Sequence, residues 1–523
     1  MSNNIHSSPI SNKEYNILHH TIIQNDMKTY TLPNKPISYK ILINGVWKEA
    51  ISKETFTRES PAHGLPVGVY PLCDSSDTKE AIKAARETFR EGSWSSMAGA
   101  DRAKIILKVG EGIRERAEEL ALIETLESGK PISQALDEME WAANLWDYAA
   151  TLCRHQYGDV NNNLGEDMMA FMYRQAIGVV AMITPWNFPL LIISQKLPFT
   201  LAAGCTGVIK PSELTPGTTL KLGEILQDAG LPDGVVNILS GFGDPVGKTL
   251  AESMDVDMIS FTGSTLVGKQ IVAASQHNLK KVSLELGGKN PQIVFADADM
   301  DAVIDAVVFG IYFNMGECCN SGSRILVHED VADDFVERVI ELSGKVRVGD
   351  PLDPSVKVGA IIDDRQQQKI LEYIESGKEQ GAELKLGGSA IESEIGRFIQ
   401  PTVFSDVRPD MDIASEEIFG PVLSIIKFRD MEEAIQIANS TVYGLSASVW
   451  TRDIDTAMVM SRKIEAGTVW INNFMSGYPE VSFGGFRQSG QGRELGRFSI
   501  DEFTELKSVL MHIGPSGDGW VGA

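Results

Sequence analysis

Two adjacent cysteines, Cys318 and Cys319, stand among small and turn-forming residues in the segment 314–324. Gly316 and Gly322 flank the pair, and glycine permits a tight backbone and the close approach of a ligand. A structural cysteine more often lies within an apolar run, so the pattern favours a reactive thiol. As a thiolate, such a side chain is a nucleophile toward a carbonyl carbon. Two buried small side chains are the alternative interpretation.

Two other segments hold side chains that suit this chemistry. Glu285 lies inside an apolar run, where desolvation should raise its pKa toward that of a usable general base. An ion pair with Lys280 or Lys281 is the alternative, although both lysines precede the apolar run. Asn187 lies between two prolines, which should aim its amide as a donor to a developing oxyanion. An ordinary turn asparagine is the alternative there.

Three segments suggest a dinucleotide. Lys210 and Glu213 follow a predicted strand and suit the hydroxyls of a ribose, with a surface ion pair as the alternative. The glycine-bounded segment 262–268 leads into a predicted helix, where backbone N–H groups can hold a phosphate. Segment 241–244 is the nearest match to a GxGxxG fingerprint, but its later spacing is wrong. Segment 416–422 adds a carboxylate and an aromatic residue on a sharp turn.

The elements that would position these residues alternate between strands and helices. Apolar runs predict buried strands over 176–183, 207–209, 235–239 and 258–261, while helical spacing predicts helices over 77–92 and within 101–128. Strands separated by helix-length segments are typical of a parallel sheet with helices on both faces. Ligands bind beyond the carboxyl ends of such strands, so we expect the site in the loops after Ile183, Ile209 and Phe261.

The same alternation restarts after Gly288. The strand candidates of this second unit are 292–295, 323–328, 423–428 and 446–450. The pair Gly287-Gly288 is a plausible boundary. The predicted fold class is therefore α/β, with two doubly wound parallel-sheet units.

Composition excludes several classes of protein. A chain of 523 residues is long enough for two or more domains, and its net charge of −24 argues against nonspecific binding to nucleic acid or an anionic membrane. Its five scattered cysteines do not resemble a disulfide framework, which predicts a reducing, cytoplasmic location. No apolar run approaches a membrane span, and no signal peptide or metal-ligand cluster is expected.

Taken together and in order, seven motifs resemble the aldehyde dehydrogenase superfamily. They are TPWNFPL, KPSE, FTGS, LELGGK, a cysteine before xSGSR, EEIFGPV and FGGFRQSG. The resemblance extends from about Tyr39 to about Ile513 and is nearest to the hydrolytic, betaine aldehyde or semialdehyde branch. It implies two Rossmann-like domains and a small strand arm for oligomerisation.

The resemblance also implies catalytic roles. Cys319, rather than its neighbour Cys318, would attack the aldehyde, and Asn187 with the Cys319 backbone N–H would hold the oxyanion. Hydride transfer to the nicotinamide would leave a thioester on Cys319, and Glu285 would activate the water that hydrolyses it. Family members that transfer the acyl group to coenzyme A generally lack this glutamate. Lys196 would join a proton relay.

The implied cofactor is NAD, with NADP less favoured because Glu213 would repel a 2′-phosphate. Lys210 and Glu213 would bind the adenosine ribose, Ser264 the pyrophosphate, and Glu417 and Phe419 the nicotinamide ribose and ring. The expected cofactor residues are Ile183, Thr184, Trp186, Lys210, Ser212, Glu213, Gly243, Thr262, Gly263, Ser264, Gly268, Leu286, Glu417 and Phe419.

The substrate pocket departs from the family pattern. Gln195 and Gly477 replace bulky aromatics common in several subfamilies, which predicts a roomier pocket and a bulky or aromatic aldehyde or a semialdehyde. Losing an aromatic at Gly477 weakens a betaine aldehyde assignment, and a betaine aldehyde or other aminoaldehyde dehydrogenase stays the alternative. Glu317 replaces a usual glutamine and is expected to point away from the thiol into a hydrogen-bond network. The alternative is a second carboxylate near the thiol, which would raise the thiol pKa or disfavour an anionic substrate. The expected walls are Trp141, Phe188, Leu191, Ile192, Gln195, Cys318, Asn320, Gly477 and Phe483.

The predicted domain boundaries follow the resemblance. A polar arm would cover residues 1–37, an NAD-binding domain 38–156 and 177–287, a catalytic domain 288–503, and an oligomerisation arm 157–176 with 504–513. Exposed strand edges predict a homodimer or homotetramer. Two other classes stay open: a binding or structural protein without turnover, and a redox sensor built on the vicinal cysteines.

Overall fold

The computed structural model describes residues 29–515, so residues 1–28 of the predicted polar arm lie outside the described part. The strands are β1 Ile37–Ser38, β2 Ile41–Ile43, β3 Val46–Lys48, β4 Thr55–Glu59, β5 Pro66–Pro71, β6 Asp159–Asn161, β7 Met168–Ala176, β8 Val179–Ile183, β9 Thr206–Lys210, β10 Val236–Ile238, β11 Met258–Thr262, β12 Lys281–Glu285, β13 Pro291–Val294, β14 Arg324–His328, β15 Glu383–Leu386, β16 Thr402–Ser405, β17 Val422–Phe428, β18 Ser446–Trp450, β19 Thr468–Ile471, β20 Gly490–Gln491 and β21 Thr504–His512. The helices are α1 Ser75–Glu91, α2 Gly99–Glu115, α3 Ala117–Ser128, α4 Ile132–Leu152, α5 Pro189–Ala203, α6 Gly217–Asp228, α7 Lys248–Glu252, α8 Thr265–Ser275, α9 Met300–Tyr312, α10 Ala332–Ser343, α11 Asp364–Glu379, α12 Asp412–Ser415, α13 Met431–Ala438, α14 Ile454–Lys463 and α15 Ser499–Glu502.

An eight-stranded sheet forms the first half of the fold, in the order β20-β12-β11-β8-β9-β10-β2-β3. The five central strands, β12 to β10 in that order, are parallel to one another. Strands such as β8, with the sequence Val-Val-Ala-Met-Ile, are almost entirely buried because helices cover both faces of the sheet. This unit confirms the parallel βαβ arrangement predicted from the alternating pattern.

One strand prediction was wrong in its extent. The apolar run 176–183 predicts a single strand, but β7 ends at Ala176 and β8 begins at Val179. Gly178 between them has φ 134°, a conformation that side chains other than glycine rarely adopt. The break sends β7 into a different sheet from β8.

A seven-stranded sheet forms the second half, in the order β15-β16-β17-β14-β13-β18-β19. All neighbours in it pair in parallel except β15, which is antiparallel to β16. The α/β fold class with two parallel sheets is therefore confirmed. Residues 288–503 hold this sheet, but β20 within that range pairs with β12 at the edge of the first sheet.

Two small sheets complete the fold. Strands β21, β7 and β6 form an antiparallel sheet that draws on the segments 157–176 and 504–513, and β1, β5 and β4 form the other. All but the first residue of β21 are exposed. Within residues 29–515, no helix combines the length and the apolar content of a membrane span.

Candidate active site

The carboxyl ends of the central strands of the first sheet form one edge of the site. Ile183 of β8 lies in register with Lys210 of β9 on one side and with Phe261 of β11 on the other. Thr262 of β11 lies in register with Glu285 of β12. The predicted loops after Ile183, Ile209 and Phe261 therefore share this edge, as parallel strands require.

Glu285 is the last residue of β12, and its side chain is only 5% exposed. Neither carboxylate oxygen has a hydrogen-bond partner among residues 29–515. Burial raises the pKa of Glu285 well above its usual value, and the negative charge of Glu494 raises it further. The alternative ion pairs are not formed, because Lys280 donates to backbone carbonyls and Lys281 lies beside Glu502.

Cys319 lies in the loop between α9 and β14, at the amino end of a strand of the second sheet. It is partly exposed, whereas Cys318 and the other three cysteines are buried. Its backbone carbonyl accepts a hydrogen bond of 2.8 Å from Asn290 Nδ2, which fixes the loop. A hydrogen bond with Cys318, together with burial, raises the pKa of the Cys319 thiol.

The loop of Cys319 lies against the segment that follows β12, because Asn290 Nδ2 donates to the Cys319 carbonyl five residues after Glu285. The charge of Cys319 contributes to the raised pKa of Glu285, so the two groups lie within electrostatic reach. Cys318 Sγ donates to Asn320 Oδ1 at 2.8 Å, so this thiol has a hydrogen-bond acceptor within its own loop. The arrangement pairs one partly exposed thiol with one buried acid, as a nucleophile and a general base require.

Asn187 is held against the cysteine loop. It is buried at the end of the loop after β8, and the helix α5 begins two residues later at Pro189. Its Nδ2 donates to the backbone carbonyl of Glu317 at 3.0 Å. An amide nitrogen carries two hydrogens, so one remains as a donor to a reacting oxygen.

Lys196 forms a buried ion pair with Glu494, a residue that the sequence analysis did not identify. Lys196 of α5 donates to Glu494 and, at 3.2 Å, to Ser260 of β11. Both charged side chains are almost completely buried. Glu494 is 298 residues from Lys196, and no local pattern indicates a contact over that distance. The two carboxylates, Glu285 and Glu494, interact electrostatically with this one lysine.

Glu317 points away from the thiol, as expected, into the protein interior. It is fully buried, and its Oε1 accepts a hydrogen bond of 3.2 Å from the backbone N–H of Ile362. Its second carboxylate oxygen has no hydrogen-bond partner within residues 29–515. Burial raises the pKa of Glu317 well above its usual value.

The other side of the sheet edge suits a nucleotide. Lys210 Nζ donates to Glu213 Oε2 at 3.3 Å, just beyond the end of β9. The buried hydroxyls of Thr184 and Thr262 have no partner within the described residues, which leaves two polar groups for a ligand. Ser264 caps α8 by accepting from the backbone N–H of Val267, so a helix amino terminus faces this edge.

Glu417 and Phe419 approach the same edge from the second sheet. Glu417 Oε1 accepts a hydrogen bond of 3.1 Å from the backbone N–H of Gly288. Burial raises the pKa of Glu417 to about 6. Phe419 packs edge-on against Trp186, with the ring centroids 5.3 Å apart. Both sheets thus contribute side chains that can hold one dinucleotide between them.

The remaining predicted cofactor residues lie in the loops of this edge or just beyond them. Ser212 accepts a bond from the backbone N–H of Leu214. Gly268 lies within α8, not in the preceding loop, and a side chain there would collide with Leu286. Gly243 faces open space where its Cβ would be. Gly263 donates its N–H to the Glu285 carbonyl at 3.0 Å.

Most predicted pocket walls share one apolar cluster. Phe188 stacks on Phe313 with centroids 5.9 Å apart, and Lys130 Nζ lies 4.3 Å from the centre of the Phe188 ring. Gln195 is partly exposed on α5, and Asn320 bonds Cys318. The walls that belong to the cluster are Trp141, Phe188, Leu191, Ile192, Cys318 and Phe483.

The expectation of free space beside Gly477 was wrong. A Cβ built on Gly477 would lie 2.4 Å from Cζ2 of Trp141 on α4. The indole ring of Trp141 therefore takes the place that a side chain at this position would occupy. This side of the pocket therefore does have an aromatic side chain, but it is Trp141 of helix α4 and not a residue at position 477.

Comparisons with known proteins show the family and the fold. The model of the family described as "Aldehyde dehydrogenase family" matches residues 47–509. The chain is 43% identical to retinaldehyde dehydrogenase 3 of Homo sapiens, over 94% of this chain and 97% of the relative. It is 39% identical to betaine aldehyde dehydrogenase of Bacillus subtilis (strain 168), over 92% and 99% of the two chains. A solved indole-3-acetaldehyde dehydrogenase in complex with NAD+ matches with a TM-score of 0.90 and 42% identity, over 92% and 98% of the two chains.

Proposed function

This chain belongs to the aldehyde dehydrogenase family, and we propose that it oxidises a bulky or aromatic aldehyde or a semialdehyde through a thioester on Cys319. It is an NAD-dependent aldehyde dehydrogenase. The observation that carries the proposed mechanism is that the Cys319 loop is hydrogen-bonded both to Asn290, shortly after the strand that ends at buried Glu285, and to the amide of Asn187.

The first step is attack of Cys319 on the aldehyde carbon. The raised pKa of its thiol means that a base or a local dipole must help to form the thiolate. The remaining hydrogen of Asn187 Nδ2 stabilises the oxyanion of the thiohemiacetal, since the Glu317 carbonyl already orients this amide. Collapse of the oxyanion leaves a thioester on Cys319.

NAD, when bound, supplies the hydride acceptor for that collapse. Lys210 and Glu213 would hold the adenosine ribose, and Ser264 at the start of α8 would hold the pyrophosphate. Glu417 and Phe419 would hold the nicotinamide ribose and ring.

Hydrolysis of the thioester depends on Glu285. Desolvation raises the pKa of its carboxyl well above the usual value, which makes the carboxylate a stronger base toward water. The Lys196–Glu494 pair is coupled electrostatically to Glu285: the charge of Glu494 raises the pKa of Glu285, and the charge of Lys196 lowers it. We assign Lys196 and Glu494 to the route by which this proton leaves.

The substrate assignment depends on the apolar walls. Phe188, Leu191 and Phe483 belong to the same apolar cluster as Cys318, and apolar walls suit a large hydrocarbon or an aromatic ring. Relatives named for retinaldehyde and for indole-3-acetaldehyde share the family with this chain. Betaine aldehyde is the second candidate, because the Trp141 ring beside Gly477 restores an aromatic face that a quaternary ammonium can contact.

The test is NADH formation over a panel of aromatic, long aliphatic, semialdehyde and betaine aldehyde substrates. We expect kcat/KM to be highest for the bulky or aromatic members. Gly477→Trp should displace the Trp141 ring and lower kcat/KM for large aldehydes more than for acetaldehyde. Gly344→Trp, at an exposed helix end remote from the site, is the control. A preference for betaine aldehyde, or an equal effect of Gly477→Trp on large and small aldehydes, would contradict the assignment.

A further inference from the structure

The side chain of Asn314 links the cysteine loop to the loop that carries Asn187. Asn314 Nδ2 donates to the backbone carbonyl of Asn187 at 3.0 Å and to that of Glu317 at 3.0 Å. The Glu317 carbonyl also accepts from Asn187 Nδ2 at 3.0 Å. The Glu317 carbonyl oxygen therefore accepts hydrogen bonds from both side-chain amides. Asn187 is held at two points, by its backbone carbonyl and by its side chain; this pair of contacts is the grip of Asn314 on Asn187.

The backbone at Asn314 makes this grip possible. Asn314 and Met315 both adopt left-handed conformations, with φ 49° and φ 58°. Asparagine tolerates this region better than most residues. The Asn314 N–H donates to Gln134 Oε1 on α4 at 2.9 Å, which anchors the turn to a helix of the other half of the fold.

Phe313, the residue before Asn314, makes a second contact with the loop that carries Asn187. Phe313 stacks on Phe188, the residue after Asn187, at a centroid distance of 5.9 Å and an interplanar angle of 24°. The segments Asn187-Phe188 and Phe313-Asn314 therefore lie side by side. Their two phenylalanine rings stack, and the Asn314 amide donates to the Asn187 backbone. Asn314 is almost completely buried, so water does not compete for these bonds.

We infer that Asn314 is a positioning residue, which aims the amide of Asn187 at the oxyanion formed on Cys319. This role rests on the proposed function. It does not require Asn314 to touch the substrate, because its two bonds fix the Asn187 backbone and the carbonyl that orients the Asn187 side chain. Removing the grip should therefore slow acylation of Cys319 and spare the later hydrolysis.

Two substitutions remove the donor in different ways. Asn314→Gly deletes the carboxamide but keeps the left-handed backbone, which glycine adopts without strain. Asn314→Asp keeps the shape but replaces the Nδ2 donor by an acceptor. Both should lower the single-turnover rate of NADH formation, by roughly 10-fold or more out of the 10²–10³ that a whole oxyanion donor contributes elsewhere. KM for the aldehyde should change much less than kcat.

A double-mutant cycle separates positioning from a general structural role. In an Asn187→Ala background there is no amide left to aim, so adding Asn314→Gly should change the acylation rate less than about 3-fold. Multiplicative effects of the two substitutions would overturn the inference, as would a wild-type acylation rate in both single variants of Asn314.

Asn44→Gly provides the matched control, since Asn44 is a left-handed asparagine in the turn between β2 and β3. It should leave acylation unchanged. Thermal unfolding of every variant identifies any that fails to fold. If Asn314→Gly does not fold, the test is made with Asn314→Asp alone. A wild-type chain that forms no NADH would refute the proposed function and this role together, whereas an active wild type with insensitive Asn314 variants refutes only the role.

Discussion

Glu317 lies two residues from Cys319, and its backbone and side chain have different roles. The backbone carbonyl accepts from Asn187 and orients that amide, whereas the carboxyl lies in the interior against the Ile362 N–H and bears on stability. The resemblance identified Cys319, Glu285 and Asn187 because each lies within a short local motif. The sequence indicates no role for Asn314 or Glu494, because the contacts that suggest one, Asn314 with Asn187 and Glu494 with Lys196, join segments far apart along the chain.

Glu317→Gln should stabilise the protein increasingly as the pH rises. Burial raises the pKa of the folded carboxyl above its ordinary value of 4.5, so above that pH the unfolded chain ionises before the folded chain does. The stability that this group contributes is therefore complete below about pH 4.5 and is lost as pH rises toward the folded pKa, by about 1.4 kcal/mol for each pH unit. Glutamine does not titrate and avoids this loss.

The check is thermal unfolding of both proteins between pH 4.5 and pH 8. The gain in Tm should be small at the acid end and should grow toward the alkaline end. Glu337→Gln, on the exposed side of α10, is the matched control. A gain in Tm that is the same at both ends would contradict this account of Glu317.

At the scale of elements, the sequence predicted strand centres better than strand ends. Apolar runs mark β8, β9, β11 and β18 because both faces of each are buried. The arm strands β7 and β21 carry mixed, largely exposed residues, so no apolar run marks them and only the resemblance indicated them. Helix α5 is fixed to β11 and to the glycine-rich segment after β20 through Lys196, a connection that no periodicity reveals.

Lys196→Met should destabilise the protein strongly. It would leave the Glu494 carboxylate buried without its partner, which costs about 3–5 kcal/mol in comparable pairs. Adding Glu494→Gln should restore much of the free energy of unfolding, because the unpaired charge is then removed. Denaturant unfolding of the single and double variants measures both effects.

The exposed pair Lys345–Glu341 offers the control, and Lys345→Met should leave the free energy of unfolding nearly unchanged. If the double variant were as unstable as Lys196→Met alone, the loss would come from packing around α5 and not from the unpaired carboxylate. Hydrolysis of the thioester should stay slow in the double variant, since the proposed proton route is still interrupted.

At the scale of the whole molecule, the antiparallel sheet of β6, β7 and β21 carries several large apolar side chains that are exposed. Strand β21 forms one edge of this sheet, so one side of its backbone has no strand partner within residues 29–515. Leu506 and Leu510 are 59% and 67% exposed and lie on the same face, because side chains alternate along a strand. Exposed edges and apolar faces of this kind mark association sites.

We expect the wild-type chain to be a dimer or a tetramer, and the double substitution Leu506→Glu with Leu510→Glu to shift it to smaller species. Two buried carboxylates would be unfavourable in an interface and harmless in solution. Size-exclusion chromatography with light scattering measures the mass. Ile395→Glu, in an exposed loop of the second half, is the control and should leave the mass unchanged. A monomeric wild type would contradict the prediction.

The central claim is that the reaction passes through an acyl group on Cys319 that Glu285 releases, and trapping that acyl group tests it most directly. Glu285→Gln should form about one NADH per chain in a burst, followed by turnover slower by roughly 10²–10⁴-fold, the usual contribution of a general base. Mass spectrometry should find the chain acylated, in a Cys318→Ala background as well, and Cys319→Ala should give neither burst nor adduct. Turnover by Glu285→Gln at the wild-type rate, or an adduct that persists in Cys319→Ala, would contradict the account.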